Sequence, residues 1–221
     1  MAARGRPRAF DRTAALRQAM TVFWEHGYEG TSIADLTAAM GINSPSLYAA
    51  FGSKEQLLRE AVAHYDQTEG AAVVTALREQ PTARDAIATV LRHYAIAYCD
   101  PDTPAGCLIV LTANTCSEQN RGVHQHLAEW RMSLEEDFIR RIRRGIADGD
   151  VPADTDADAV AAFYNTVNHG MAIQARDGAD RAKLLRIAEA AISAWDGLVG
   201  GSASSDPSPA TGASDASHPA D

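Results

Sequence analysis

Between positions 44 and 54 the sequence gathers side chains whose types suit contact with a nucleic acid. Ser44, Pro45, Ser46 and Tyr48 lie within five residues of one another. The hydroxyls can bond phosphate oxygens or base edges, and the proline ring can pack on a thymine methyl. Lys54 follows at the first turn of what reads as a longer helix, where an ammonium group and free N–H groups favour an anion. Thr31 and Ser32 add two hydroxyls upstream. Arg4, Arg6 and Arg8 form an N-terminal arm with no acid before Asp11. Such an arm supplies phosphate and minor-groove affinity without reading sequence. The 44–50 face carries no arginine, so a bidentate contact to guanine is not expected from it. Specificity would rest on hydroxyls, methyl contacts and DNA shape.

A second group of residues could line a cavity. Tyr94, Tyr98, Trp130, Phe163, Tyr164 and Met171 have the size for it, although each alone is more often plain core. The cysteines, Cys99, Cys107 and Cys116, form an odd set without a CxxC pair, which argues against a disulfide framework or a zinc ribbon. A thiol can sense oxidants or electrophiles, but burial is the commoner fate of cysteine. Cys107 is the best candidate of the three, since a nearby helix start would lower its pKa. His124 and His126 are two apart on a helix and face different ways, so no metal site is expected from them. No cofactor signature, nucleophile–base pair, carboxylate pair or phosphate loop stands out, which points away from an enzyme. The run Arg140, Arg141, Arg143, Arg144 follows Glu136 and Asp137 at i,i+4 spacing and reads as a solvated, ion-paired helix face.

The elements that position these residues read as helices throughout. Apolar residues recur at helical spacing, and no period-2 alternation or hairpin signal interrupts them. Asp11 caps a first helix with Leu16, Met20 and Phe23 on its stripe, which is expected to stop at Gly27. Ser32 caps a short helix ending at Gly41. Ser44 caps a third with Pro45 at its first position, running to about Phe51. Leu36, Met40, Ile42, Leu47 and Phe51 would pack inward, turning Ser44, Pro45, Ser46 and Tyr48 outward. Ser53 opens a long helix that Gly70 bends and Pro81 stops. Further helices follow after Thr82, through Leu127 to Gly149, after Thr155 or Asp156, and from about Asp180 to Trp195. The fold class is therefore all-α, with about nine helices.

The division expected is a basic arm (1–9), a helix-turn-helix (10–55), a larger helical domain (56–199) and an acidic tail (200–221). The net charge of −9 looks unsuited to a nucleic-acid binder, but the acids lie away from the arm. The longest apolar run, Cys107 to Leu111, is too short to span a bilayer, so a soluble, cytoplasmic protein with no membrane partner is expected.

As a set, Phe23, Gly27 and Tyr28, then Thr31-Ser32-Ile33, Gly41-Ile42, Leu47-Tyr48, Phe51 and Ser53-Lys54-Glu55 resemble the DNA-binding region of the tetracycline-repressor (TetR) family. The resemblance covers roughly residues 12–58. Family members often carry Arg or Lys near the start of the second helix, where this chain has Ile33-Ala34-Asp35. The resemblance implies a regulator, most often a repressor, that binds a pseudo-palindromic double-stranded operator as a homodimer and responds to a small-molecule effector. It also implies a ligand pocket in the second domain. The candidate lining is Tyr94, Tyr98, Cys107, Trp130, Tyr164, Asn165 and His169. It further implies that the last two helices pair with a symmetry mate, through a stripe of Phe163, Val167, Met171, Leu184, Ile187 and Ile192. A helical-bundle adaptor that keeps the fold without DNA binding is the alternative.

Overall fold

A computed structural model of the chain describes residues 11–112 and 116–200. The first four helices each begin where a short polar side chain satisfies a free N–H group. Helix α1 (Arg12–Gly30) starts with Asp11 accepting from the Ala14 N–H at 3.0 Å. In α2 (Ile33–Met40), Ser32 and Asp35 form a reciprocal capping box. Helix α3 (Ser44–Phe51) is capped by Asn43, whose side chain accepts from the Ser46 N–H at 2.9 Å. Ser44 is thus the first helical residue and Pro45 the second. Asn43 outcompetes the serine because its carbonyl reaches N3 from extended backbone.

Helix α1 does not stop at Gly27. That residue takes φ 70°, ψ 174° as a kink, and a further turn runs to Gly30. Glycine is required there twice over. The backbone is left-handed, and a Cβ would lie 3.1 Å from the Thr112 carbonyl oxygen.

Ser53 caps α4 (Lys54–Tyr65), which passes through a π-helical turn (Asp66–Gly70) into α5 (Ala71–Glu79). The long helix expected from the sequence is therefore interrupted by a π turn, a local widening that often accompanies functional sites. Then come α6 (Ala83–Ala97), α7 (Leu108–Leu111), a 3₁₀ turn (Glu118–Asn120) and α8 (Arg121–Asp148). The last described elements are α9 (Ala157–Arg176), α10 (Arg181–Ser193) and the short α11 (Trp195–Val199). Nine of these helices have eight or more residues among those described.

Helix α1 packs on α2 and α4, α6 lies between α5 and α10, and α8 pairs with α9. Phe23, Leu36, Leu47, Leu57 and Leu58 are fully enclosed under the α1–α4 end. Each such side chain contributes roughly 1.5–3 kcal/mol when buried. Met171 and Leu184, placed by their spacing on a surface stripe, lie inside the chain's own core with no exposure, and Ile192 is nearly enclosed. Met171 lies on α9 against α8 and α10, and Leu184 and Ile192 lie on α10 against α6 and α9, so neighbouring helices of the same chain take up these faces. Phe163, Val167 and Ile187 stay accessible, joined by exposed Ile173.

The arginine run on α8 is only partly a solvated face. Arg140 pairs with Glu136 and Asp137, and Arg143 with Asp158. Arg141 does not meet Asp137; it is buried and donates to the Gln80 carbonyl at 3.2 Å.

Candidate nucleic-acid interface and central cavity

Leu47 and Phe51 anchor the inner face of α3, and the opposite face is open. Pro45, Ser46 and Tyr48 are exposed, and Ser44 is half-buried at the helix start. Arg12 braces the helix from behind. Its guanidinium lies 4.5 Å from the Phe51 ring centroid, donates to the Ala50 carbonyl at 3.3 Å and pairs with Glu60 at 2.6 Å. The sequence reading missed Arg12, since nothing local links it to a helix 38 residues on.

Two of the upstream hydroxyls are not free for DNA. Thr31 is 1% exposed and donates to the Gly27 carbonyl at 2.6 Å, so its expected contact is corrected to an internal one. Ser32 is exposed, but its hydroxyl and N–H both bond Asp35, whose carboxyl is thereby held below its usual range. Lys54 lies with its ammonium 4.2 Å from the Tyr28 ring centroid. Burial lowers its pKa while Glu29 and Asp35 oppose that. Lys54 therefore sits at the edge of the α2–α3 face and is partly spent on a cation–π contact. Arg4, Arg6, Arg8 and the acidic tail beyond 200 lie outside the described residues.

Behind this unit is a cavity of about 70 Å³. The π turn and α5 form one wall with Asp66, Glu69, Val73 and Val74, and α4 adds Tyr65. Helix α6 and its C-cap supply Tyr94 and Tyr98, the α7 segment Cys107, Ile109 and Val110, α8 Trp130, Arg131 and Leu134, and α9 Asn168 and His169. The cavity thus gathers Tyr94, Tyr98, Cys107, Trp130 and His169 from the expected lining. It excludes Tyr164, whose hydroxyl donates to the Ala191 carbonyl at 3.1 Å, and Asn165, whose amide nitrogen donates to Glu135 at 2.9 Å. Both point away from the lumen toward neighbouring helices. The polar residue on α9 that lines the cavity with His169 is Asn168, in place of the expected Asn165.

Electrostatics at the inner end are governed by burial. Tyr65, Tyr94 and Tyr98 are pushed well above the phenolic range, so all three hydroxyls keep their protons. His169 is lowered, mainly by burial and then by Arg131, and is held neutral. Cys107 precedes α7, but burial raises its thiol pKa against the pull of the Tyr65 hydroxyl and the Val110 and Ile109 N–H groups. The lowering expected from a helix start is corrected: four helical residues give too small a dipole to offset an enclosed site.

The cavity is bonded to the α1–α3 unit. Tyr28 N–H donates to the Thr112 carbonyl at 2.9 Å, and the Thr112 hydroxyl bonds the Phe23 carbonyl at 3.4 Å. Arg176 of α9 donates to the Trp24 and Glu25 carbonyls at 2.6 and 3.2 Å. Glu29 accepts from the Ser117 N–H, the Ser117 hydroxyl and Asn120, each at 2.8 Å, and these bonds draw its pKa down to about 2.

A three-helix head with an outward α3, bonded to a helical body that holds a cavity, is the architecture of a DNA-binding regulator, and the chain belongs to the TetR family. Residues 15–61 match the family described as bacterial regulatory proteins, tetR family, and residues 81–191 match a tetracyclin repressor-like C-terminal domain. The HTH-type transcriptional repressor ComR of Escherichia coli (strain K12) is 36% identical over 197 residues, covering 89% of this chain and 94% of ComR. The HTH-type transcriptional repressor BdcR of the same strain is 31% identical over 177 residues, covering 79% and 83%. Among solved structures, a cysteine-substituted form of the TetR-family regulator CifR, complexed with 26-bp operator DNA, is 48% identical. It superimposes with a TM-score of 0.83 and covers 86% of this chain and 100% of that one.

Proposed function

We propose that this protein is a ligand-responsive transcriptional repressor, acting by binding and not by catalysis. It holds a pseudo-palindromic operator as a homodimer and leaves it when a small uncharged molecule enters the central cavity. The observation that carries this reading is α7. Cys107, just before it, lines the cavity, and Thr112, just after it, is bonded to α1. Two recognition helices of a dimer must meet successive major grooves about 34–36 Å apart. A ligand that favours a displaced α7 shifts α1, and with it the α3 spacing, through these bonds. The named repressors among its relatives and the operator-bound neighbour support the DNA side. The accessible apolar residues on α9 and α10 support the dimer.

On the DNA, Ser44, Pro45, Ser46 and Tyr48 face the groove, Lys54 anchors a phosphate at its edge, and the N-terminal arginines add affinity. Footprinting of the DNA upstream of the chain's own gene tests this. Protection is expected with the unaltered protein and its loss with the combined Tyr48→Ala and Lys54→Ala substitutions. Protection that survives both changes would remove the assignment. Retention on DNA that does not fall with salt would favour the adaptor reading, since phosphate contacts release counterions.

A further inference from the structure

We propose that the groove between α5 and the C-terminal half of α8 is a second ligand site, which takes an organic oxyanion: a carboxylate or phosphate monoester on a short apolar body. It lies outside the central cavity and differs from it in charge.

Arg78 of α5 and Arg140, Arg141 and Arg144 of α8 line this groove, with Asp137 as the acid among them. Val74 and Leu77 give it an apolar wall, and Val74 is 58% exposed. The groove holds about 250 Å³, on a measure by which one water takes roughly 10–15 Å³, so a ring-sized body fits. DNA is not the anion. The head is tied to the start of α8, where Asn120 donates to Glu29 at 2.8 Å. Arg141 lies about 30 Å further along that helix, at about 1.5 Å per residue.

The four cations are not equivalent. Arg140 pairs with Asp137 and, at 3.7 Å, with Glu136; Arg78 pairs with Glu79 at 2.8 Å, and Arg144 meets Asp148 at 3.9 Å. Arg141 is the exception. It is 3% exposed, and among the described residues no carboxylate forms an ion pair with it. Its Nη2 donates to the Gln80 carbonyl at 3.2 Å, while Nε and Nη1 are enclosed without a hydrogen-bond partner. Charged donors left in this state cost more than neutral ones. Burial lowers the Arg141 pKa, Arg144 lowers it further, and Asp150 opposes both. The guanidinium still keeps its charge. The groove therefore has unspent positive charge and two unused donors in its wall.

Capping of α5 accounts for only part of this arrangement. Arg141 and Arg144 meet the Gln80 and Arg78 carbonyls with one nitrogen each, as cations at a helix C-terminus do. The remaining edge of the Arg141 fork matches a carboxylate or phosphate. Arg144, exposed and only loosely in contact with Asp148, turns aside as the oxyanion reaches Arg141. Arg78 closes on the oxyanion from α5, and the apolar body lies on Val74 and Leu77. The ligand thus ties α5 to α8. Val74 and Asp137 also line the central cavity, so the two sites share a wall.

The full chain, free of DNA, is titrated calorimetrically with phenyl phosphate, benzoate, inorganic phosphate and benzyl alcohol. One equivalent of phenyl phosphate or benzoate should bind per protomer, and the tighter of the two names the head group. Inorganic phosphate lacks the apolar body and benzyl alcohol the charge, so each should bind weaker by about tenfold or more. Arg141→Gln should weaken anion binding by about tenfold or more. Arg92→Gln, which removes a charge paired with Glu189 on another face, should leave it unchanged. If Arg141→Gln fails to fold by circular dichroism, Arg78→Gln combined with Arg144→Gln decides instead, because both side chains are exposed. The same loss is expected. Absence of saturable binding by either organic anion overturns the proposal. So does binding that survives removal of these arginines, or equal binding of benzyl alcohol or inorganic phosphate. Failure of the protein to bind operator DNA would remove the repressor reading and leave the anion site standing, so the two failures are distinguishable.

Discussion

The Tyr28 N–H donates to the Thr112 carbonyl at 2.9 Å, and the residue before Tyr28 is a glycine held at φ 70°. The kink turns the Tyr28 amide out of the α1 ladder, and α7 supplies the acceptor. The same tyrosine offers its ring to Lys54 at 4.2 Å, so one residue touches the cavity side through its backbone and the DNA side through its ring.

Gly27→Ala should damage this joint. An alanine at φ 70°, ψ 174°, a region open essentially to glycine, costs on the order of 2 kcal/mol, and its Cβ would stand 3.1 Å from the Thr112 oxygen. The melting temperature is expected to fall by about 2–8 °C by calorimetry, and effector-dependent release of DNA should weaken. An unchanged melt together with an unchanged response would mean that this contact does not couple the two parts.

The cap of the recognition helix gives a local test. Asn43→Ala removes the acceptor for the Ser46 N–H and should cost about 1 kcal/mol, read as roughly fivefold weaker operator binding in a mobility-shift titration. Ser44→Ala should cost less, because Ser44 is not the cap. The opposite order would mean that Ser44 contacts DNA more strongly than Asn43 supports the helix.

That pair of serine and asparagine marks where the sequence was legible and where it was not. Glycines at 41 and 149, the Ser32 and Ser53 caps and the Leu36, Leu47 and Phe51 stripe were readable, because each depends on neighbours within one turn. The Asn43 cap differed from expectation by one residue, since two adjacent polar side chains both qualify. Thr31, Met171 and Leu184 were assigned to surfaces because periodicity names a face without saying what covers it. The cavity was half legible for the same reason: α9 offered Asn165 and Asn168, and contact with α6 selects Asn168. Long-range ties such as Arg12 to Ala50 and Arg176 to Trp24 leave no local trace.

Glu29 makes the joint pH-dependent. Bonds from Asn120 and Ser117 lower its carboxyl from 4.5 to about 2 in the folded protein. A depressed carboxylate stabilises the fold fully above its unfolded value, and this contribution is lost as pH falls from about 4.5 toward 2. Unfolding followed by circular dichroism across that window should be less pH-dependent for Glu29→Gln than for the unaltered chain. Parallel curves would show that the 117–120 turn does not hold Glu29 in solution.

Ile173 and Phe163 carry the dimer prediction. They are 44% and 36% exposed on α9, which suits an apolar face that a second copy covers. Phe163→Glu combined with Ile173→Glu should give a monomer in analytical ultracentrifugation, with the helical content unchanged. Because operator affinity depends on two linked half-sites, DNA binding should drop by at least tenfold. A dimer that persists would move the interface to another face.

The N-terminal arm carries the last expectation. The exposed face of α3 presents Pro45, Ser46 and Tyr48 but no cation, and Lys54 is partly engaged with Tyr28. Phosphate affinity is expected to come chiefly from Arg4, Arg6 and Arg8. Each phosphate contact contributes close to one unit to the slope of log affinity against log salt. Removing residues 1–8 should flatten that slope by about three units per protomer if all three arginines engage. It should leave the ranking of operator variants unchanged, because phosphate contacts read no sequence. A slope that stays the same after truncation would place the electrostatic binding energy on Lys54 and the helix N-termini. A changed ranking would mean that the arm enters the minor groove and reads its width.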